Sequence, residues 1–202
     1  MIISSDLKKA IGYKIGKFNI QEVSEKDLEE VEEIDLSGIK LNGEKTDIDL
    51  KELAKLKNLR RIMLKNFNLN DEAINGLNGL QQLESIYLAY CEMTSNISLS
   101  NDSVNSLVIN GCEIQDYSLL SFAKSTAFIA DDKLKLNRLT NKESLESLRL
   151  VGCHLKSADG LQDCPGLTNI RLEGTSFDDL KAIELLKDRI EIIETDNKYP
   201  IR

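Results

Sequence analysis

Apolar residues in this chain come in short bursts rather than in one sustained helical or alternating pattern. Each burst places two aliphatic residues around one variable residue, with a further aliphatic three positions earlier and a turn just after. The bursts read VEEIDLSGIKL from Val31, LRRIMLKNFNL from Leu59, LESIYLAYCEM from Leu83, VNSLVINGCEI from Val104, LESLRLVGCHL from Leu145 and LTNIRLEGTSF from Leu167. In a strand successive side chains point to opposite faces, so Leu148 and Leu150 are expected to face a core and Arg149 to face out.

These segments share the form L-x-x-L-x-L-x-x-(N/C)-x-L, the signature of a leucine-rich repeat. Their starts lie roughly 20 to 28 residues apart, except for a gap of about two periods between Val104 and Leu145, which calls for a degenerate copy. That copy is expected to begin near Ser125 and run to about residue 139, with Phe128 and Ala130 as its inward pair and Asp131, Asp132 and Lys133 at its turn. A truncated eighth strand is expected through Ile190 to Thr195. One turn alone cannot bury its apolar face. Stacked turns cover one another and pair their strands side by side as a parallel sheet.

The fold class predicted is therefore α/β, a leucine-rich-repeat solenoid forming a right-handed superhelix. Parallel strands line its concave face, and short helices and loops form its convex face. Helical spacing marks Asp116 to Lys124 and Asp178 to Lys187 as return helices, with a loop over Ser157 to Cys164. Residues 1–30 are expected to be a helical N-terminal cap. Leu7 and Ile11 follow the candidate cap Asp6, and Ser24 with Asp27 forms a capping-box pattern ahead of Leu28 and Val31. Residues 31–202 then form about seven to eight turns of the same single domain.

Composition narrows the chemistry. The 202 residues are 41% hydrophobic but only 5% aromatic, without tryptophan, which fits a repetitive aliphatic core. A net charge of -8 opposes binding to nucleic acid, which needs a concentrated basic surface. No stretch is long and apolar enough to insert into a membrane, and Met1 to Asp6 does not read as the start of an export signal. A cytoplasmic location is expected, with a cell-surface or secreted one as the alternative if a targeting segment lies outside this sequence.

Cys91, Cys112 and Cys153 all occupy the ninth position of their copies, and Cys164 does not. They are read as free thiols. Cys91 and Cys112 fall on adjacent turns, near enough for a disulfide on distance, yet are expected to be buried and parallel rather than facing. The single histidine, His154, follows Cys153, but neighbouring residues diverge and the thiol should be buried, so no dyad forms. Metal-ligand spacings are missing. Gly38, Gly111, Gly152 and Gly174 precede the turns and serve backbone geometry, not phosphate binding. The acidic run from Glu25 to Glu33 reads as a solvated face. The chain is therefore expected to be no enzyme, with no catalytic residue, cofactor or metal.

The run DLKKAIGYKIGK, then VSEKDLEEVEEIDLSG, then repeats of the LxxLxLxxC type resembles bacterial internalin-like leucine-rich-repeat proteins with a helical N-terminal cap. The resemblance spans nearly the whole chain and implies that fold. It implies protein binding in general terms only, since the superfamily includes adhesins, ligase scaffolds and phosphatase regulators.

Outward strand residues form columns across the turns. The middle column reads Asp35, Met63, Tyr87, Val108, Ile129, Arg149, Arg171. The earlier one reads Glu33, Arg61, Ser85, Ser106, Ala127, Ser147, Asn169, and the later one Ser37, Lys65, Ala89, Asn110, Asp131, Val151, Glu173. With Tyr90 at a strand exit, Met63, Tyr87, Tyr90, Val108 and Ile129 compose an apolar patch flanked by Arg61, Arg149 and Arg171. The expected partner is a protein or peptide on this concave face of a monomer, in an adaptor or regulatory role; the alternative is a cell-surface or secreted adhesin acting on a host.

Overall fold

The computed structural model describes residues 9, 11–12, 14–17, 19, 23–37 and 45–195. Eight parallel strands form one sheet in strictly sequential turns: β1 (Glu33–Ser37), β3 (Arg61–Lys65), β5 (Ser85–Ala89), β7 (Ser106–Asn110), β9 (Ser125–Ile129), β10 (Ser147–Val151), β12 (Asn169–Glu173) and β14 (Glu191–Thr195). Each repeat burst supplies one strand, and the strand expected near Ile190 is β14, paired with β12. A second layer of short strands follows the first: β2 (Thr46–Asp47), β4 (Phe67–Leu69), β6 (Glu92–Met93) and β8 (Glu113–Ile114) pair in sequence, and β11 (His154–Ser157) pairs with β13 (Ser176–Asp179).

Between the layers runs one continuous aliphatic core. Ile34, Ile62, Ile86, Leu107, Leu148 and Ile170 stack as one inward column, and Leu64, Leu88, Ile109, Phe128, Leu150 and Leu172 as the next, all buried. Each turn covers the one before it, so apolar area leaves water only as the stack grows.

The degenerate turn sits two residues out of the expected frame. β9 pairs Ala127 with Val108 and Arg149, and Phe128 with Ile109 and Leu150. Its inward pair is thus Thr126 and Phe128, not Phe128 and Ala130. Ala130 is exposed and takes a positive φ of 51°, matching Gly111 at 56° and Gly152 at 60° in the same position of their turns. Thr126 replaces a leucine in the core because its hydroxyl is satisfied locally: Oγ1 accepts from the Ala123 amide at 3.0 Å and donates to the Ala123 carbonyl at 3.1 Å.

The shift makes Asp131 the ninth-position residue of its turn, equivalent to Cys112 and Cys153. This position carries a ladder of its own. The Cys91 sulfur accepts the Phe67 amide, the Cys112 sulfur the Cys91 amide, the Cys153 sulfur the Asp131 amide, and Thr175 Oγ1 the Cys153 amide. Sulfurs and oxygens therefore satisfy amides that the end of each strand leaves unpaired. Asp131 is buried, and its carboxylate accepts from Tyr117 Oη at 2.7 and 2.9 Å and from the Lys133 amide at 3.0 Å. Burial nevertheless pushes its pKa up.

The return segments match expectation in part. Asp116 to Lys124 holds only a 3-10 turn at Tyr117–Leu119, and Asp178 to Lys187 divides into the end of β13 and a helix at Lys181–Leu186. Ser157 to Cys164 contains the end of β11 and a 3-10 turn at Leu161–Asp163. Length accounts for the first of these. The copy from Val104 has the shortest return and must cross the same width with fewer residues, which an extended or 3-10 path does at about 2–3.3 Å per residue against about 1.5 Å for an α-helix. The longer turn after Leu59 accommodates the helix Asp71–Asn78, capped by Asn70 Oδ1 on the Ala73 amide at 3.1 Å.

At the N-terminal end, Ser24 and Asp27 form the expected capping box. The Asp27 amide donates to Ser24 Oγ, and the Ser24 amide to Asp27 Oδ2 at 2.7 Å. Lys17 Nζ also lies 2.7 Å from Asp27, which holds that carboxyl well below the usual range. Ile11 and Leu28 are buried in the same core as the repeats. The expected cap at Asp6, with Leu7, and the turn at Gly38 lie outside the described residues.

Two predictions follow from this packing. Gly76 lies inside the helix Asp71–Asn78, where alanine would ordinarily stabilise by about 1 kcal/mol. A Cβ there would sit 2.7 Å from Leu50 Cβ and 3.1 Å from the Leu50 carbonyl carbon, so Gly76→Ala should lower the melting temperature. A rise would show that this helix does not seat on the Leu50 turn. For Asp131 the folded-state pKa is raised, so its favourable contribution is present below the unfolded value of about 3.9 and is lost as pH climbs through the folded pKa. Asp131→Asn, which keeps the acceptor for Tyr117, should be at least as stable as the parent at pH 7. Its advantage should shrink as urea melts are repeated toward pH 4; an advantage growing in acid would contradict the assignment.

Candidate functional site

The strand register fixes which side chains share the concave face. The middle column is Asp35, Met63, Tyr87, Val108, Ala127, Arg149, Arg171 and Ile193. Ile129 therefore leaves the middle column and stands in the later one, paired with Asn110 and Val151, where Asp131 had been expected. In the earlier column Ser125 replaces Ala127, so four hydroxyls, Ser85, Ser106, Ser125 and Ser147, run side by side. The two-residue offset of this turn places Ile129 to one side of the apolar column and Ser125 in the polar stripe.

The expected apolar patch survives in altered outline. Met63 is 36% exposed, Tyr87 and Val108 are half-buried side by side, and Ile129 and Val151 extend the patch diagonally. Tyr87 is held in place, since its hydroxyl accepts from Asn110 Nδ2 at 2.8 Å. Tyr90 is 50% exposed and occupies a positive φ of 53° at the strand exit, a conformation with a steric cost for a bulky residue. Its ring crosses the next turn at Gly111, where a Cβ would come within 3.0 Å of the ring, and Lys65 Nζ lies 5.9 Å from the ring centroid. Glycine at 111 thus serves both its own left-handed backbone and the seating of Tyr90.

The flanking arginines are anchored rather than loose. Glu173, although on an outward strand position, is buried; Arg149 reaches its two carboxylate oxygens from Nε and Nη2 at 2.9 Å each, and Arg171 Nε donates to Oε1. Hydrogen bonding from Arg149, more than any other contact, keeps the Glu173 carboxyl below its ordinary pKa. Two half-exposed guanidiniums over one carboxylate leave a local positive excess at this end of the face. At the other end Arg61 and Lys14 both contact Glu33, each at 3.0 Å. The sequence flagged the arginines but carried no signal for burial of Glu173.

Away from this face, Cys153 turns into the core and burial raises its pKa, whereas His154 points outward. The His154 ring instead bridges its neighbouring strand, with Nδ1 2.7 Å from Ser176 Oγ and Nε2 3.2 Å from Asp178 Oδ1. A hydroxyl, an imidazole and a carboxylate are thus in line, but Asp178 and His154 are well exposed on the rim of β11 and β13, and only Ser176 of the three lines the neighbouring cleft of about 330 Å³. Such a line ties two turns together without the enclosed, donor-lined space that acyl transfer requires. A cleft of about 510 Å³ opens elsewhere, at the turns leading into β7, β9 and β10, lined by Asn101, Asp102, Lys124 and Glu143 among others. Among the described residues, no group of three or more His, Cys, Asp or Glu side chains is arranged to hold a metal ion, and no helix is long and apolar enough to cross a membrane.

No protein-family model and no curated protein matches the sequence. Solved structures do match. The crystal structure of Listeria monocytogenes InlP aligns with a TM-score of 0.56 and 16% identity over 86% of this chain and 52% of that one. An internalin (InlF) from L. monocytogenes str. 4b F2365 aligns with a TM-score of 0.43 and 18% identity, over 95% of this chain and 75% of that one. Internalin C2 of the same strain gives a TM-score of 0.42 and 15% identity, over 95% and 93%. The chain spans about half the length of InlP. With sequential parallel strands, short helices and 3-10 turns between them, and this alignment to InlP, the chain has the internalin-like leucine-rich-repeat fold.

Proposed function

We propose that this chain is a non-catalytic protein-interaction module that binds a protein or peptide on its concave strand face. The observation that carries the reading is the contiguous patch of Met63, Tyr87, Tyr90, Val108, Ile129 and Val151, set between Lys65 and the arginine pair at Arg149 and Arg171. Aromatic and apolar residues with arginine at the margin match the composition of interface cores. Tyr87 and the two arginines are pre-positioned by hydrogen bonds within the protein, so fewer rotamers remain to be frozen when a partner docks.

Two settings fit such a module: an adaptor or regulator in the cytoplasm, and a surface or secreted module that engages a host. The likeness to the InlP structure supports the second over the first. Catalysis finds no support, because Cys153 is buried away from His154 and the His154 cluster lies on an open rim.

The variants that test the face are Met63→Glu and Tyr87→Ala. Arg149→Glu is unsuitable, since it would place a second carboxylate against buried Glu173 and unfold the rim. Immobilised parent and variant proteins should differ at least tenfold in retention of whatever ligand the parent retains, with melting temperatures within a few degrees of each other. Equal retention by both variants would move binding off the strand face.

A further inference from the structure

We propose that Cys91 and Cys112 form an oxidisable dithiol, a modification site at which a small disulfide oxidant joins the third and fourth turns through an intrachain bridge. The two residues lie on adjacent rungs: Glu92 pairs with Glu113, and the Glu113 amide donates to the Cys91 carbonyl at 2.8 Å. Adjacent rungs are about 4.8 Å apart, within the Cα separation of about 4.4–6.8 Å that a disulfide spans. The two side chains run parallel on neighbouring rungs: Cys91 Sγ donates to the Ala89 carbonyl at 3.5 Å and Cys112 Sγ to the equivalent Asn110 carbonyl at 3.6 Å. Cys112 is not fully buried: it is half-buried, whereas Cys91, Cys153 and Cys164 are shut into the core.

The surroundings favour thiolate on this pair alone. The hydrogen bond from Cys112 is the main cause that brings Cys91 down to about 7, helped by the Phe67 and Ala89 backbone and by the charge of Lys45. Lys45 Nζ is fixed beside the pair by Glu113 Oε1 at 2.8 Å. Cys112 moves up in return, because its proton is the one shared with the Cys91 sulfur. Burial raises both Cys153 and Cys164, which leaves them as inert internal controls.

The chemistry balances with a disulfide RSSR as oxidant. One proton leaves the pair; in the tautomer that keeps the other proton on Cys91, the thiolate of half-buried Cys112 attacks RSSR, forming a Cys112–SR mixed disulfide and releasing RS⁻. Cys91 then loses its proton, attacks the Cys112 sulfur and expels the second RS⁻. Two thiols are oxidised and one disulfide is reduced to two thiols. The bridge would lie directly after Tyr90 and Gly111 in the chain, at the lip of the concave face, so oxidation would fix the turn that carries the exposed tyrosine.

The test is to treat the folded, fully reduced protein with glutathione disulfide at neutral pH, quench with acid, and alkylate in denaturant. Intact mass and peptide mapping then count the thiols that remain. Loss of two of the four alkylatable cysteines, with a linked Cys91–Cys112 peptide and with Cys153 and Cys164 fully alkylated, is the expected result. Cys112→Ser, at the half-buried position, should show no intrachain link while melting as a folded protein. Should that variant fail to fold, the map of the parent decides alone. Four thiols surviving, a glutathione adduct at Cys112 that never resolves, or bridges to Cys153 or Cys164 in comparable yield would each overturn the proposal.

Discussion

Every outward column in this molecule is held by backbone pairing between turns, and that pairing is possible only because each turn closes without leaving polar groups stranded at the strand ends. The closure falls to the ninth-position side chains. Cys91, Cys112, Cys153 and Thr175 each accept an amide from the turn before, and Asp131 ties its own turn to Tyr117. A sulfur is a weak acceptor but a compact and apolar one, so it satisfies the amide at little cost to the surrounding aliphatic stack. Asp131 makes the opposite trade, with stronger hydrogen bonds around a carboxylate that burial disfavours.

The concave face inherits its precision from this arrangement. Because β1 to β14 share one register, neighbouring outward residues are one strand apart across eight turns. Tyr87 and Asn110, Arg149 and Glu173, and Ser147 and Asn169 all bond across that spacing. Side chains that already hold one another present a surface of fixed shape, which suits recognition of a folded partner or an extended segment more than chemistry on a small substrate.

Most of the fold was legible because strand alternation and the repeat period act together over six good copies. The strands, the capping box at Ser24 and the eighth strand were all readable from residue type and spacing. What failed did so for local reasons. In the turn around Phe128 the leucines are replaced by Ala123 and Thr126, so a single large apolar residue was left to set the frame, and the frame slipped by two. The spacing to Leu145 and an aspartate in the ninth position were the usable signals. The return helix expected over Asp116 to Lys124 is reduced to a 3-10 turn, because amphipathic spacing says nothing of the distance to be spanned, whereas the one expected over Asp178 to Lys187 forms at Lys181–Leu186. Glu173 could not have been placed, since Arg149 reaches over it from the neighbouring rung while Arg171 does so from its own strand.

The unequal return segments also bear on the bend of the whole array. An α-helix occupies more of the outer wall than a 3-10 turn or a short strand, and here an eight-residue helix backs the turn after Leu59, whereas three-residue 3-10 turns back those after Val104 and Leu145. A thicker outer wall forces adjacent rungs to fan apart and tightens the arc in front of it. Helices stand behind the turns that carry Met63 and Arg171, and 3-10 turns behind those that carry Val108 and Arg149 between them. The bend is therefore uneven along the axis, and a ligand of uniform curvature fits the hollow less well than one that varies with it.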